Sequence, residues 1–298
     1  MEKRSFVVKD VEYLRHGDLS LLARTYVPEG DGPFPCVVDL HGGGWSIFDR
    51  TRGERLHEAL ASNGISVVAL DFRQGVEGAY PISLTDIHYG IRWVKANADQ
   101  FKTRPDIVGA TGNSTGGHQA MLISMRPEDP RYAALLAPPG GEGLDARLAF
   151  VVMLWPVINP YGRYRYAKGM MGTAEEPSWA AGIIPMHDNY WRTEEAMAEG
   201  NPMLLLERGE PAELAPAMWV QSTQDQVHNY RDPSSDFEGT ESERFTANYQ
   251  KAGGSIETLY FDAPMMFATA HAELPESVAA LQAIADFIHK TVAARAIS

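Results

Sequence analysis

The chain is poor in cysteine, with a single residue, Cys36, in 298. No disulfide can form within it, and paired thiolates for a zinc or iron–sulfur site are missing. Cys36 lies in an apolar run, where a small buried hydrophobe is its expected role. Long hydrophobic runs are also absent: no stretch approaches the roughly 18 uninterrupted apolar residues of a membrane-spanning helix. The segment from Met1 to Asp10 shows neither an apolar core nor a small-residue cleavage pattern of an export signal, so a cytoplasmic protein is expected. Positive charge is scarce, with 26 Lys and Arg against 39 Asp and Glu and a net charge of −13, which argues against nucleic acid and anionic membranes as partners. Nine histidines are scattered without a His-Glu-Xaa-Xaa-His pattern, so neither a metal nor any other cofactor is expected. There is no internal repeat or low-complexity tract.

What is present is ordinary globular material, 44% hydrophobic and 22% charged. Two β-like runs, Phe6 to Leu14 and Leu19 to Val27, flank Arg15-His16-Gly17-Asp18 and read as an edge hairpin. From Cys36 onward short apolar runs alternate with helix-like ones, the pattern of an α/β fold: a mostly parallel twisted sheet of about eight strands with helices on both faces. The expected elements are strands at 36–40, 65–71, 107–111, 149–155, 217–221 and 256–261, with helices at 50–63, 82–97, 116–125, 236–252 and 275–294. Between 157 and 211 the alternation fails, and Tyr, Trp and Met accumulate among glycines and prolines. A loop that long without structure is improbable, so a helical cap over the site is expected. The domain reading is a core of 1–156 and 212–298 with a cap insertion at 157–211. The strand at 256–261, if at an edge, is open to pairing between subunits in a homodimer.

Residues Gly112-Asn113-Ser114-Thr115-Gly116-Gly117 place a serine between glycines, after an apolar run and before a helix-like one. This is the pattern of a nucleophile elbow, a sharp strand-to-helix turn whose strained central residue lifts its hydroxyl clear of the sheet. Upstream, His41-Gly42-Gly43-Gly44-Trp45 follows another strand and offers bare backbone N–H groups that could hold an oxyanion. It lacks the Gly-Lys-Ser/Thr ending of a phosphate-binding loop. A bare Gly-Xaa-Ser-Xaa-Gly match is common by chance; its weight here comes from this context.

A serine hydroxyl needs a base, and the base an acid to fix its tautomer. The two last strands each end in a suitable residue, giving Asp225 as acid and His271 as base in the order serine, acid, histidine. His228 is the competitor, in the same loop as Asp225, but would leave the last loop without a partner and put acid and base on one turn. His118 is too close to Ser114 in sequence and is expected to pack the helix. Asp232 and Asp236 are reserve acids, better explained as loop charges or a helix N-cap. Trp45, Trp155, Tyr190, Trp191 and Met266 are the candidate substrate-binding residues, read as an apolar pocket under the cap.

Together these motifs resemble the hormone-sensitive-lipase-like branch of the α/β-hydrolases, a group of bacterial carboxylesterases and relatives. The resemblance rests on His41-Gly42-Gly43-Gly44-Trp45, the block of Asp71-Phe72-Arg73, Tyr80-Pro81, Asp86 and Trp93-Val94, and the elbow through His118. It continues over 217–227 and 259–271, so it spans roughly residues 30 to 290 and is weakest in the cap. It implies an α/β-hydrolase fold and a carboxylesterase acting on small to medium apolar or aromatic esters. It makes Ser114 the nucleophile, His271 the base, Asp225 the orienting acid, and the N–H groups of Gly42, Gly43 and Thr115 the oxyanion hole. Asn113 stands where the family usually has aspartate, and Thr115 where alanine is common. The hairpin starts almost at Met1, where many members carry a helical cap segment. Hydrolysis of an aryl formamide, carbamate or lactone would use the same machinery. A non-catalytic ligand-binding protein is the reading from another class.

Overall fold

The computed structural model of the protein describes residues 3–295. Its centre is one eight-stranded sheet, in the order β1-β2-β4-β3-β5-β6-β7-β8. The strands are β1 (Phe6–His16), β2 (Leu19–Pro28), β3 (Cys36–Leu40), β4 (Ser66–Leu70), β5 (Val108–Asn113), β6 (Val151–Leu154), β7 (Ala217–Ser222) and β8 (Ile256–Phe261). β1 pairs antiparallel with β2, and β2 antiparallel with β4, whereas every pairing from β4 to β8 is parallel. The α/β architecture and the edge hairpin expected from the alternation of runs are both present.

The apolar runs are continuous because the central strands are covered on both sides. Successive residues alternate between two cores: Cys36, Val38 and Leu40 of β3 face one, Val37 the other, and Val151 and Met153 of β6 part from Val152 and Leu154 in the same way. One core is closed by α2 (Ile82–Ala96), α3 (Thr115–Met125) and α8 (Glu241–Lys251), through Leu84, Ile87, Ile91, Phe245 and Tyr249. The other is closed by α1 (Glu54–Ser62) and α10 (Pro275–Arg295), through Leu56, Leu60, Ile284 and Ile288.

Two helix starts differ from the sequence expectation by four residues or more. α1 begins at Glu54 rather than Arg50, because Arg50 is bound to Asp10 and Asp71 at 3.0 and 2.9 Å. α8 begins at Glu241 rather than Asp236: Thr240 accepts the Glu243 N–H while the Glu243 carboxylate takes the Thr240 N–H, a reciprocal cap that fixes the first turn.

Between β6 and β7 run α4 (Pro160–Met170), α5 (Ala180–Trp191), α6 (Glu194–Glu199) and α7 (Pro202–Glu207). Three of these starts are written locally. Asn159 and Asn201 each cap a helix whose first residue is proline, and Thr193 caps α6. The helices are fixed to the body through a buried cluster of Trp45, Val157, Tyr164, Tyr190, Trp191 and Met197. Among the described residues no helix is long and apolar enough to cross a membrane.

Candidate active site

At the carboxyl end of β5 the chain turns directly into α3, and Ser114 between them has φ +51° and ψ −117°. A non-glycine residue held there stores backbone strain, which surrounding contacts must over-determine. They do: the Ser114 N–H donates to the Leu154 carbonyl at 2.9 Å, and its own carbonyl accepts the Val157 and His118 N–H groups at 3.0 and 3.2 Å. The flanking glycines are sterically required. A Cβ on Gly116 would lie 1.9 Å from the Leu40 carbonyl oxygen, and one on Gly112 would lie 2.5 Å from the backbone of Gly116.

The Ser114 hydroxyl is 2.8 Å from His228 Nε2, and His228 Nδ1 is 2.7 Å from Asp225 Oδ2. An ionised carboxylate only accepts, so Nδ1 carries the proton and Nε2 is left to accept from the serine. Asp225 and the His228 side chain are buried. Burial raises the Asp225 pKa, but hydrogen bonds from the His228 ring and from the Val227 and His228 N–H groups outweigh it and hold the carboxyl below its ordinary value. The second oxygen, Oδ1, accepts those N–H groups at 2.9 and 3.1 Å. Asp225 thereby closes a turn on its own backbone that folds the residue three positions on back beside it.

The expectation that His271 serves Ser114 is therefore corrected: the structure brings His228 to the serine. The His271 side chain is 44% exposed, with Nδ1 3.5 Å from Glu273. Its backbone belongs to the junction of α9 (Phe267–Ala270) with α10, where its N–H donates to Phe267 and its carbonyl accepts the Ser277 hydroxyl at 2.6 Å. From the loop after β8 it is Met265 and Met266 that reach the cleft. The objection to His228, that acid and base would share a turn, fails because that turn is what orients the ring.

His118 packs as expected, with Nε2–H donated to the Gly200 carbonyl at 2.8 Å and Nδ1 accepting from the Trp45 indole at 3.4 Å. Burial lowers its pKa to about 4. Asp232 joins Asn159 and Arg244 at 3.0 and 3.3 Å, while Asp236 lies outside the Thr240 cap.

Facing the elbow, Gly43 and Gly44 take φ +106° and +63°. A Cβ on Gly43 would come within 2.2 Å of the Ile47 carbonyl, and one on Gly42 within 3.1 Å of the Ser114 Cβ. Backbone thus stands directly against Ser114. The Gly43 N–H meets no acceptor among the described residues. Thr115, as the first residue of α3, leaves its N–H unclaimed within the helix. Its side chain has a second use: Thr115 Oγ1 accepts the Trp45 N–H at 3.3 Å, tying the elbow to the glycine loop.

The cleft over Ser114 has a volume of about 220 Å³ and is lined by Gly42, Gly43, Gly44, Ile47, Phe48, Arg52, Asn113, Trp155, Arg163, Ile183, Met186, Val227, His228, Met265 and Met266. Of the five expected substrate-binding residues, Trp155 and Met266 line it. Trp45, Tyr190 and Trp191 do not. Trp45 stacks on Tyr190 at 5.2 Å with 9° between the rings, and Trp191 meets both edge-on. These three rings pin α5 to the glycine loop. Lining residues outside that expectation include Ile47, Phe48, Val227, Ile183 on the other face of α5, Met265 and the two arginines, while Met186 belongs to the cap residues whose composition suggested an apolar pocket.

A family model described as BD-FAE matches residues 25–231, from β2 through the Asp225–His228 turn. Among curated proteins, a probable carboxylic ester hydrolase, LipM of Mycobacterium tuberculosis, is 30% identical over 153 residues, half of this chain and 34% of that protein. A versiconal hemiacetal acetate esterase of Dothistroma septosporum is 35% identical over 111 residues, 36% of this chain and 34% of that protein. The chain thus spans about a third of the length of these relatives. Among solved structures, an esterase of Pyrobaculum calidifontis superposes with a TM-score of 0.72 at 19% identity, covering 97% of this chain and 87% of that one. Esterase B from Lactobacillus rhamnosis superposes at 0.77 and 19%, covering 98% and 89%. At such identities the superpositions establish a shared fold.

Proposed function

The chain belongs to the BD-FAE family, and from that membership together with the site geometry we propose that it is a serine carboxylesterase working through an acyl-enzyme. The observation that carries the reading is the continuous relay of Ser114 Oγ, His228 and Asp225 at 2.8 and 2.7 Å. His228 Nε2 takes the hydroxyl proton as Ser114 attacks the ester carbonyl. The tetrahedral oxyanion is held by the N–H groups of Gly42, Gly43 and Thr115, which are fixed before substrate arrives. The imidazolium then protonates the leaving alcohol. Water, deprotonated by the same nitrogen, attacks the acyl-enzyme and releases the acid with Ser114 restored. Asp225 stays ionised, holding the tautomer and stabilising the imidazolium.

Residues 157–211 act as the cap, with Ile183 and Met186 of α5 and Arg163 of α4 as its contribution to the cleft. The test is hydrolysis of a chromogenic short-chain ester by wild-type and Ser114→Ala protein. Loss of about 10⁴-fold or more in kcat for a folded variant is expected, by analogy with other serine hydrolases. Wild-type activity in Ser114→Ala would refute the assignment.

A further inference from the structure

Arg163 is 2% exposed, yet no carboxylate, carbonyl or hydroxyl of the described residues accepts a hydrogen bond from its guanidinium. Its Nε is buried and unpartnered, and it lines the cleft that holds Ser114. Of the other two buried arginines, Arg244 is met by Glu207, Asp232 and Glu241, and Arg92, which also lacks a carboxylate and has an unpartnered Nε, still donates to the Leu135 carbonyl at 2.9 Å. What Arg163 has instead is the face of Trp45, 5.8 Å from its ring centroid. Burial holds its pKa down at about 10, so the cation persists at neutral pH although its environment disfavours it. The one carboxylate of the described residues that stabilises this charge is Asp225, whose oxygens are already committed to His228 and the turn.

The cleft repeats the theme. No Asp or Glu lines it, although acids outnumber bases by 39 to 26 in the chain. Its second cation, Arg52, is exposed to solvent, with its guanidinium 4.3 Å from the Phe48 ring centroid and no side-chain hydrogen bond among the described residues. A buried cation without a partner is costly, and the cost is relieved when a bound molecule supplies the counter-charge. The planar fork of arginine matches a carboxylate in bidentate fashion.

We propose that the cleft takes esters bearing a free carboxylate, with Arg163 as the group that recognises it and Arg52 as a second cation beside the path. This deepens the serine-esterase reading and rests on it. Neutral esters fill the apolar wall of Trp155, Met186 and Met266 but leave the guanidinium unpaired.

The test compares kcat/KM for matched esters. Mono(4-nitrophenyl) glutarate carries its acid on the acyl side and 4-acetoxybutanoate on the alcohol side; 4-nitrophenyl pentanoate and butyl acetate are their neutral counterparts. The wild type is expected to favour at least one acidic ester over its counterpart by about tenfold or more. That ratio should collapse in Arg163→Gln and return in part in Arg163→Lys. A ratio near one in the wild type, or one unmoved by Arg163→Gln, overturns the proposal.

Calorimetry on Ser114→Ala protein separates this from the hydrolase reading. Monomethyl glutarate and 4-acetoxybutanoate are titrated against dimethyl glutarate and butyl acetate, with and without Arg163→Gln. Arg163-dependent binding of either acidic ester supports the proposal even if no ester is turned over; equal binding of acidic and neutral esters refutes it. Turnover of neutral esters without that binding preference leaves the esterase standing and removes the carboxylate. Circular dichroism on each variant excludes misfolding as the cause of a lost ratio.

Discussion

The loops after β7 and β8 start side by side at the carboxyl edge of the sheet, yet they bring different chemistry to Ser114. The β7 loop is compact. Asp225 folds its own backbone into a turn and delivers acid and base together, within four residues. The β8 loop is longer, turns through Met266 at φ +61°, and sets methionines against the cleft while His271 faces outward beside Glu273. The two are stitched together: the buried Ser222 hydroxyl donates to the Ala263 carbonyl, and Thr223 and Gln224 both reach Asp262, at 3.2 and 2.9 Å. The difference teaches that, in the proposed mechanism, the base is placed by the turn that aims it rather than by the strand it follows. A self-closing Asp turn does in one loop what is usually divided between two.

The largest expected effect breaks the comparison open. His228→Ala should lose about 10⁴-fold or more in kcat/KM, as removing the base of a serine relay does, whereas His271→Ala should stay within about twofold. Kinetics on a chromogenic ester would read both. Next, Asp225→Asn should cost about 10²- to 10⁴-fold in kcat, because the amide no longer enforces the Nδ1–H tautomer.

A stability experiment sharpens the contrast. Burial lowers the pKa of both His118 and His88 to about 4 from the ordinary 6.5. Their neutral forms are native, so the unfolded chain takes up protons that the folded chain refuses. Stability is therefore full above pH 6.5 and declines as pH falls toward 4, by up to about 1.4 kcal/mol per pH unit for each histidine. Chemical denaturation of the wild type between pH 7 and 4.5 should show this decline, and it should be shallower in His88→Asn. The smallest effect is expected for Ser222→Ala, which leaves the Ala263 carbonyl without its donor and should cost about 1–2 kcal/mol by urea unfolding.

Much of this was legible in the sequence. Apolar runs that alternate between two cores marked the parallel strands, and the glycines around Ser114 were readable because backbone approach leaves no space for a Cβ. Asp225 followed from its place after β7. His228 was visible but discounted, because strand-by-strand bookkeeping assigns one functional residue to each loop and overlooks a turn closed by its own aspartate. The spacing of Asp225 and His228 by three residues was the available signal. The aromatic residues were misassigned for a different reason: a cap needs large rings both to dock and to shelter ligand, and composition does not separate the two. Trp45, Tyr190 and Trp191 dock. Arg163 was unreadable as a site residue, since an arginine in a helix says nothing about its partners until those around it are seen.

The most direct test of the central claim, that His228 and not His271 activates Ser114, is the rate of covalent labelling by a fluorophosphonate probe in wild-type, His228→Ala and His271→Ala proteins, with the modified residue identified by mass spectrometry. Wild-type and His271→Ala should label at Ser114 at similar rates, and His228→Ala should label slower by orders of magnitude. Rapid labelling of His228→Ala, with loss in His271→Ala, would contradict the account.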